Sequence, residues 1–168
     1  MLLLMLLITT LLFAQTAEID SLRAVIEQTT GIASVDAINQ LSKVYWQVDL
    51  ELSIENGNIA LELSQKLKYK KGEAEAIKNI GGAYYFLGEF DIAVEHFIES
   101  LELREEIGNK TDIINALNNL GIVQESLNNH EQALYYYLES MDIESEIGNK
   151  DGIAGSLNNI GMVYENLS

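Results

Sequence analysis

The chain has 168 residues, a formal charge of −16 and a pI near 4.3. Such acidity argues against nucleic acid and against anionic membrane surfaces, which both need clustered Lys and Arg. The lack of cysteine excludes disulfides, thiolate metal sites and a lipoprotein anchor, while a 48% hydrophobic share is enough to build a packed core.

The first element is apolar. Met1 to Ala14 reads MLLLMLLITTLLFA and is followed by Gln15-Thr16-Ala17. Its apolar run is shorter than the roughly 20 residues a bilayer span needs. It fits the apolar core of a signal peptide over residues 1–17, with cleavage after Ala14 or Ala17. No basic residue precedes Arg23, so the usual positive start is missing. A buried N-terminal helix is the alternative. Residues 18–32 form the next segment, a lead-in helix with Leu22, Val25 and Ile26 on one face and Asp20 or Ser21 as N-cap.

From residue 33 a period of forty takes over. Asn39, Asn79, Asn119 and Asn159 recur at that spacing, and Gly81, Gly121 and Gly161 follow the last three by two positions. Residues 73–112 and 113–152 share twelve of forty positions, and 153–168 shares eight of sixteen with 113–128. A fixed period of this size means stacked supersecondary units rather than one globular core. The units are 33–72, 73–112, 113–152 and the partial 153–168.

Each unit reads as two antiparallel helices, A and B. In the second unit, helix A covers 73–87, with Ile77, Ile80, Tyr84 and Leu87 in one stripe. Helix B covers 90–107, and Gly108-Asn109 ends it because both residue types accept the left-handed cap conformation. The third unit repeats the pattern with Leu117, Leu120 and Leu127, then Ala133, Tyr137, Met141 and Ile143. A glycine inside a helix costs about 1 kcal/mol relative to alanine. Its repetition at Gly81, Gly121 and Gly161 predicts close approach of a neighbouring helix. Unit one departs, with Leu41 in place of that glycine and Gly57 where Phe97 and Tyr137 stand. A continuous helix over 50–67 is expected, the alternative being a break at Gly57. Lys66, Lys68, Lys70 and Lys71 read as a solvated helix end.

The runs Ile77-x-x-Ile80-Gly81-x-x-Tyr84 and Ala93-x-x-x-Phe97-x-x-Ser100 resemble the tetratricopeptide repeat. So do Leu117-x-x-Leu120-Gly121 with Ala133-x-x-x-Tyr137-x-x-Ser140, and Leu157-x-x-Ile160-Gly161-x-x-Tyr164. The family's closing proline is absent, and the period exceeds its usual 34 residues. The resemblance covers about 34–168 and implies an all-α, right-handed superhelical solenoid of antiparallel helix pairs. It further implies a concave groove lined by helix A. Carried onto this sequence, the groove residues are Asn39, Ser42, Tyr45 and Trp46, then Lys78, Asn79, Gly82, Tyr85 and Phe86. The third and fourth units add Asn118, Asn119, Ile122 and Glu125, then Asn158, Asn159, Met162 and Glu165.

An Asn amide both donates and accepts, so four at one spacing form a ladder for a peptide backbone. The rings of Tyr45, Trp46, Tyr85 and Phe86 supply an apolar pocket. The alternative is that the asparagines bridge neighbouring helices. Lys78 alone is too little base for gripping anionic C-termini. No nucleophile, phosphate loop, calcium loop or metal-ligand spacing emerges. His96 and His130 read as partly exposed helix or turn residues, and the helix-B acids Glu105-Glu106 and Asp142, Glu144 and Glu146 as solvated outer faces.

The expected function is therefore a non-enzymatic, cofactor-free, exported scaffold that binds a protein or peptide. It binds neither nucleic acid nor, once the signal is cleaved, the membrane directly. The alternative is the extracytoplasmic sensing region of a larger signalling protein, a histidine kinase, cyclase or transcriptional regulator. The apolar stripe of the last helix, Leu157, Ile160, Tyr164 and Leu167, is that of an internal repeat. It predicts a fragment of a longer protein and self-association through that helix.

Overall fold

The computed structural model describes residues 2–167, with side chains from Gln15 onward. The signal-peptide expectation for 1–17 therefore falls, as far as Ala14, on side chains outside the described residues. Eight helices pack in chain order among the described residues: α1 (Leu2–Gln28), α2 (Ile32–Tyr45), α3 (Leu50–Leu67), α4 (Lys70–Leu87), α5 (Phe90–Ile107), α6 (Lys110–Ser126), α7 (His130–Glu146) and α8 (Lys150–Asn166). The fold is all-α, as the period implied. One helix, α1, runs through Asp20 and Ser21, so neither caps a separate lead-in helix.

The connections show how each glycine and asparagine acts. Gly108 ends α5 at φ 78°, and its N–H donates to the Arg104 carbonyl. Asn109 does not share that left-handed role. It sits at φ −80° as the N-cap of α6, accepting from the N–H groups of Thr111 (3.0 Å) and Asp112 (3.3 Å). Gly148 and Asn149 repeat the pair before α8, with Asn149 accepting from Gly152 N–H at 3.2 Å. The equivalent of these glycines in the first repeat is Lys68, held at φ 53°. The lysine cluster thus straddles a joint: Lys66 and Lys68 close α3, whereas Lys70 and Lys71 open α4.

The chain divides into two compact units, 1–83 and 84–168. In the first, Ile19 of α1 packs with Leu41 and Tyr45 of α2, and Ile38, Ala60 and Ala76 form a second cluster. The helix α3 continues unbroken through Gly57, where an added Cβ would stand 2.6 Å from Ile80 Cγ1. Gly57 therefore marks a close approach, not a turn. In the second unit, Ala93, Phe97, Leu120 and Val123 form one cluster, and Ala133, Tyr137 and Val163 another. Burying side chains of this size removes apolar area from water worth about 1.5–3 kcal/mol each. Gly121 lies against the Tyr137 ring, where an added Cβ would stand 2.6 Å from Cζ and 2.7 Å from Cδ1. The same Cβ on Gly161 meets nothing within 4 Å.

Candidate functional site

The asparagines of the first unit point inward. Asn39 is 3% exposed and Asn79 is fully buried. Asn39 Nδ2 donates to the Gly72 carbonyl at 3.0 Å, and Asn79 Nδ2 donates to the Asn39 carbonyl at 2.8 Å, one repeat back. These amides tie helix A of one repeat to helix A of the next. The peptide-ladder expectation is corrected at both positions, because a fully buried amide bonded to a neighbouring helix cannot reach a ligand. Asn118, Asn119 and Asn159 are half-buried, and Asn158 is exposed.

The expected aromatic pocket divides as well. Tyr45 is a core residue, 3% exposed, and accepts a hydrogen bond from Arg23 Nη2 at 2.8 Å. Trp46 is half-buried and its Nε1 donates to the Asn79 carbonyl at 2.9 Å. The Lys78 ammonium stands 5.8 Å from the Trp46 ring centre and pairs with Glu75. Gly82 is small because the Trp46 ring occupies the volume a Cβ would need. Trp46, Lys78, Asn79 and Gly82 are thus held together by packing and hydrogen bonds, and Tyr45 belongs to the separate cluster with Ile19 and Leu41.

The second unit leaves more of its helix-A face open. Tyr85 is half-buried, in edge contact with Phe86 at 5.6 Å and tilted against Phe90 at 5.5 Å. Phe86 is 55% exposed, Ile122 is 43% and Met162 is 44%. Ile122 and Met162 occupy the same repeat position, which Ser42 and Gly82 hold in the first unit. Ser126 Oγ lies 3.3 Å from Tyr85 OH, joining α6 to the end of α4. Tyr137 OH donates to Glu125 Oε2 at 2.8 Å. Burial pushes the Tyr137 phenol well above its ordinary value, and the Glu125 hydrogen bond adds to the push.

His96 and His130 are both half-buried. The His96 ring stacks on Tyr84, 5.6 Å between centres and 7° from parallel. Burial holds it below the usual imidazole value, against the opposing pull of Glu99 and Glu95. Among the described residues, no three His, Cys, Asp or Glu side chains are placed to hold a metal ion. Nor is any helix there long and apolar enough to cross a membrane.

Two buried charges share one repeat position, which corrects the solvated-face reading at Glu144 and which sequence reasoning missed at Arg104. Arg104 is 7% exposed, pairs with Asp112 at 3.4 Å and donates from Nε to Ser100 Oγ at 3.2 Å. Glu144, its equivalent one repeat later, is 4% exposed and accepts from Ser156 Oγ at 3.2 Å. Ser64, in the same column of the first repeat, is buried as well.

Eight helices packed in chain order as successive hairpins define a helical-hairpin repeat fold among the described residues. Residues 72–146 match the tetratricopeptide repeat family model. No curated protein matches the chain. Among solved structures, aspartyl phosphate phosphatase F from Bacillus subtilis is similar at 15% identity and a TM-score of 0.80, over 92% of this chain and 44% of that one. A Rap protein complexed with competence and sporulation factor is similar at 17% identity and 0.74, over 90% and 45%. A STAND signal-transduction ATPase with a tetratricopeptide repeat sensor, from Pyrococcus horikoshii, is similar at 18% and 0.74, over 80% and 21%. The chain spans less than half of each of these proteins. At such identities the likeness concerns the fold.

Proposed function

We propose that this chain is a non-catalytic scaffold that binds a protein or peptide segment on its helix-A face. The observation that carries the reading is the open apolar surface of Phe86, Ile122 and Met162 in the second unit. A folded repeat gains nothing from leaving such side chains in water, and apolar anchors of this kind dominate binding energy when covered. The complex of the similar Rap protein with competence and sporulation factor lends support.

The test uses a displayed library of ten-residue peptides. Binders selected on the full chain should lose at least tenfold in affinity to the double variant Ile122→Asn, Met162→Asn, with far-ultraviolet circular dichroism unchanged. Binding that survives both changes, or a library that yields no binder, ends the reading.

Export belongs to the same proposal. The apolar run from Met1 to Ala14, followed by Gln15-Thr16-Ala17, supports it. Mass spectrometry of protein secreted by a bacterial host should show loss of 14 or 17 residues. A full-length chain retained inside the cell would count against it. A sensing role within a larger signalling protein is the second reading, favoured by the similar STAND protein and its repeat sensor.

A further inference from the structure

The two units differ sharply in charge. Residues 1–83 carry ten acidic and seven basic side chains, a formal charge of −3. Residues 84–168 carry sixteen acidic and three basic ones, a formal charge of −13. Of those three bases, Arg104 is buried against Asp112, and Lys110 pairs with Glu146 at 2.6 Å. Lys150 sits at the start of α8. From Thr111 to Leu127, and again from Asp151 to Leu167, no basic residue occurs.

Eleven of the sixteen acids lie on α5 and α7, and Glu125 on α6 and Glu165 on α8 are the ones beside the apolar anchors. On α6, Ile122 is flanked at helical spacing by Asn118, one turn before, and Glu125, three residues after. On α8, Met162 is flanked in the same way by Asn158 and Glu165. Glu125 is held in place by the Tyr137 hydroxyl on one oxygen, Oε2. Covering Ile122 and Met162 also takes water from these carboxylates. An anionic or neutral ligand leaves that loss uncompensated, whereas an ammonium or guanidinium replaces the water. The exposed Asn158 amide accepts from a backbone or from a cationic head equally well. A second copy of this chain is a poor occupant, since it brings the same excess of negative charge.

We infer that the helix-A face of residues 84–168 takes a cationic, apolar peptide segment: Leu-, Ile- or Phe-type anchors over Phe86, Ile122 and Met162, with Lys or Arg beside Glu125 and Glu165. The inference rests on the peptide-binding reading above and names its ligand class.

Three fluorescein-labelled peptides of equal length test it. They share the same leucine positions and differ only in carrying Lys, Ser or Glu between them. Anisotropy titrations use the full chain, the Ile122→Asn, Met162→Asn variant, and a Glu125→Gln, Glu165→Gln variant. The Lys peptide is expected to bind at least tenfold tighter than the Ser peptide, and the Glu peptide least. Raising salt from 50 to 200 mM should weaken the Lys peptide severalfold, because exposed charges are screened over about 10 Å near 0.1 M. The Gln variant should lose severalfold for Lys and little for Ser. Equal affinities for all three peptides, lost in the Asn variant, would overturn the charge inference and leave the peptide face standing. Lys binding unchanged in the Asn variant would show attraction to the unit at large and overturn both. Absence of binding by all three would also end both.

Discussion

The α2–α3 and α6–α7 hairpins share a backbone plan and place their bulk on opposite helices. In α2–α3 the large residue is Leu41 on helix A, 4% exposed and packed with Ile19 and Tyr45. Its helix B carries Gly57, against which Ile80 and Ser42 close in. In α6–α7 helix A carries Gly121, and helix B carries the fully buried Tyr137 ring. Each pair of columns holds one large and one small residue. The lesson is that this repeat conserves filled space rather than residue identity, as close-packed interiors require.

The largest test of that comparison is Gly121→Ala. Tyr137 is fully buried and has nowhere to retreat, so the added methyl should cost about 1–3 kcal/mol by overpacking. Gly161→Ala, at the equivalent but open position, should instead gain up to about 1 kcal/mol from helix propensity. Urea unfolding of both variants would check the sign difference, and equal effects would refute the packing account.

A smaller effect sharpens the contrast between turns. Lys68 occupies the left-handed conformation that Gly108 and Gly148 occupy elsewhere. A side chain there costs roughly 1 kcal/mol, so Lys68→Gly should raise the urea midpoint of the first unit modestly. A lowered midpoint would mean that the lysine makes a compensating contact.

The smallest effect concerns alkaline pH. Tyr137 has a folded pKa raised above its unfolded value near 10. The folded state therefore prefers the protonated phenol. Its contribution is complete below about pH 10 and is lost as pH rises beyond that. Tyr137→Phe should flatten this alkaline decline relative to the unmodified chain. An unchanged decline between pH 10 and 11 would place its origin elsewhere.

Much of the fold was legible along the chain because its signals are local. A Gly-Asn pair ends one helix and caps the next within three residues, and the apolar stripes repeat with the helix period. The use of the candidate site's residues was not legible there. Asn39 and Asn79 look identical to Asn119 and Asn159 in the sequence, yet their role depends on carbonyls 33 and 40 residues away. The charge contrast between the units was written in the sequence throughout. It had no meaning until the division after Ala83 showed which acids belong together.

The sequence by itself determined a helical-hairpin repeat, its forty-residue register and the glycines and asparagines of its turns. Each of these follows from backbone preferences that act over a few residues and recur. The tertiary structure alone decided which side of helix A is buried, which asparagines are spent on neighbouring helices, and where bulk sits in each hairpin. Those outcomes depend on volume and hydrogen-bond partners supplied by other helices, and neither is encoded at the position itself.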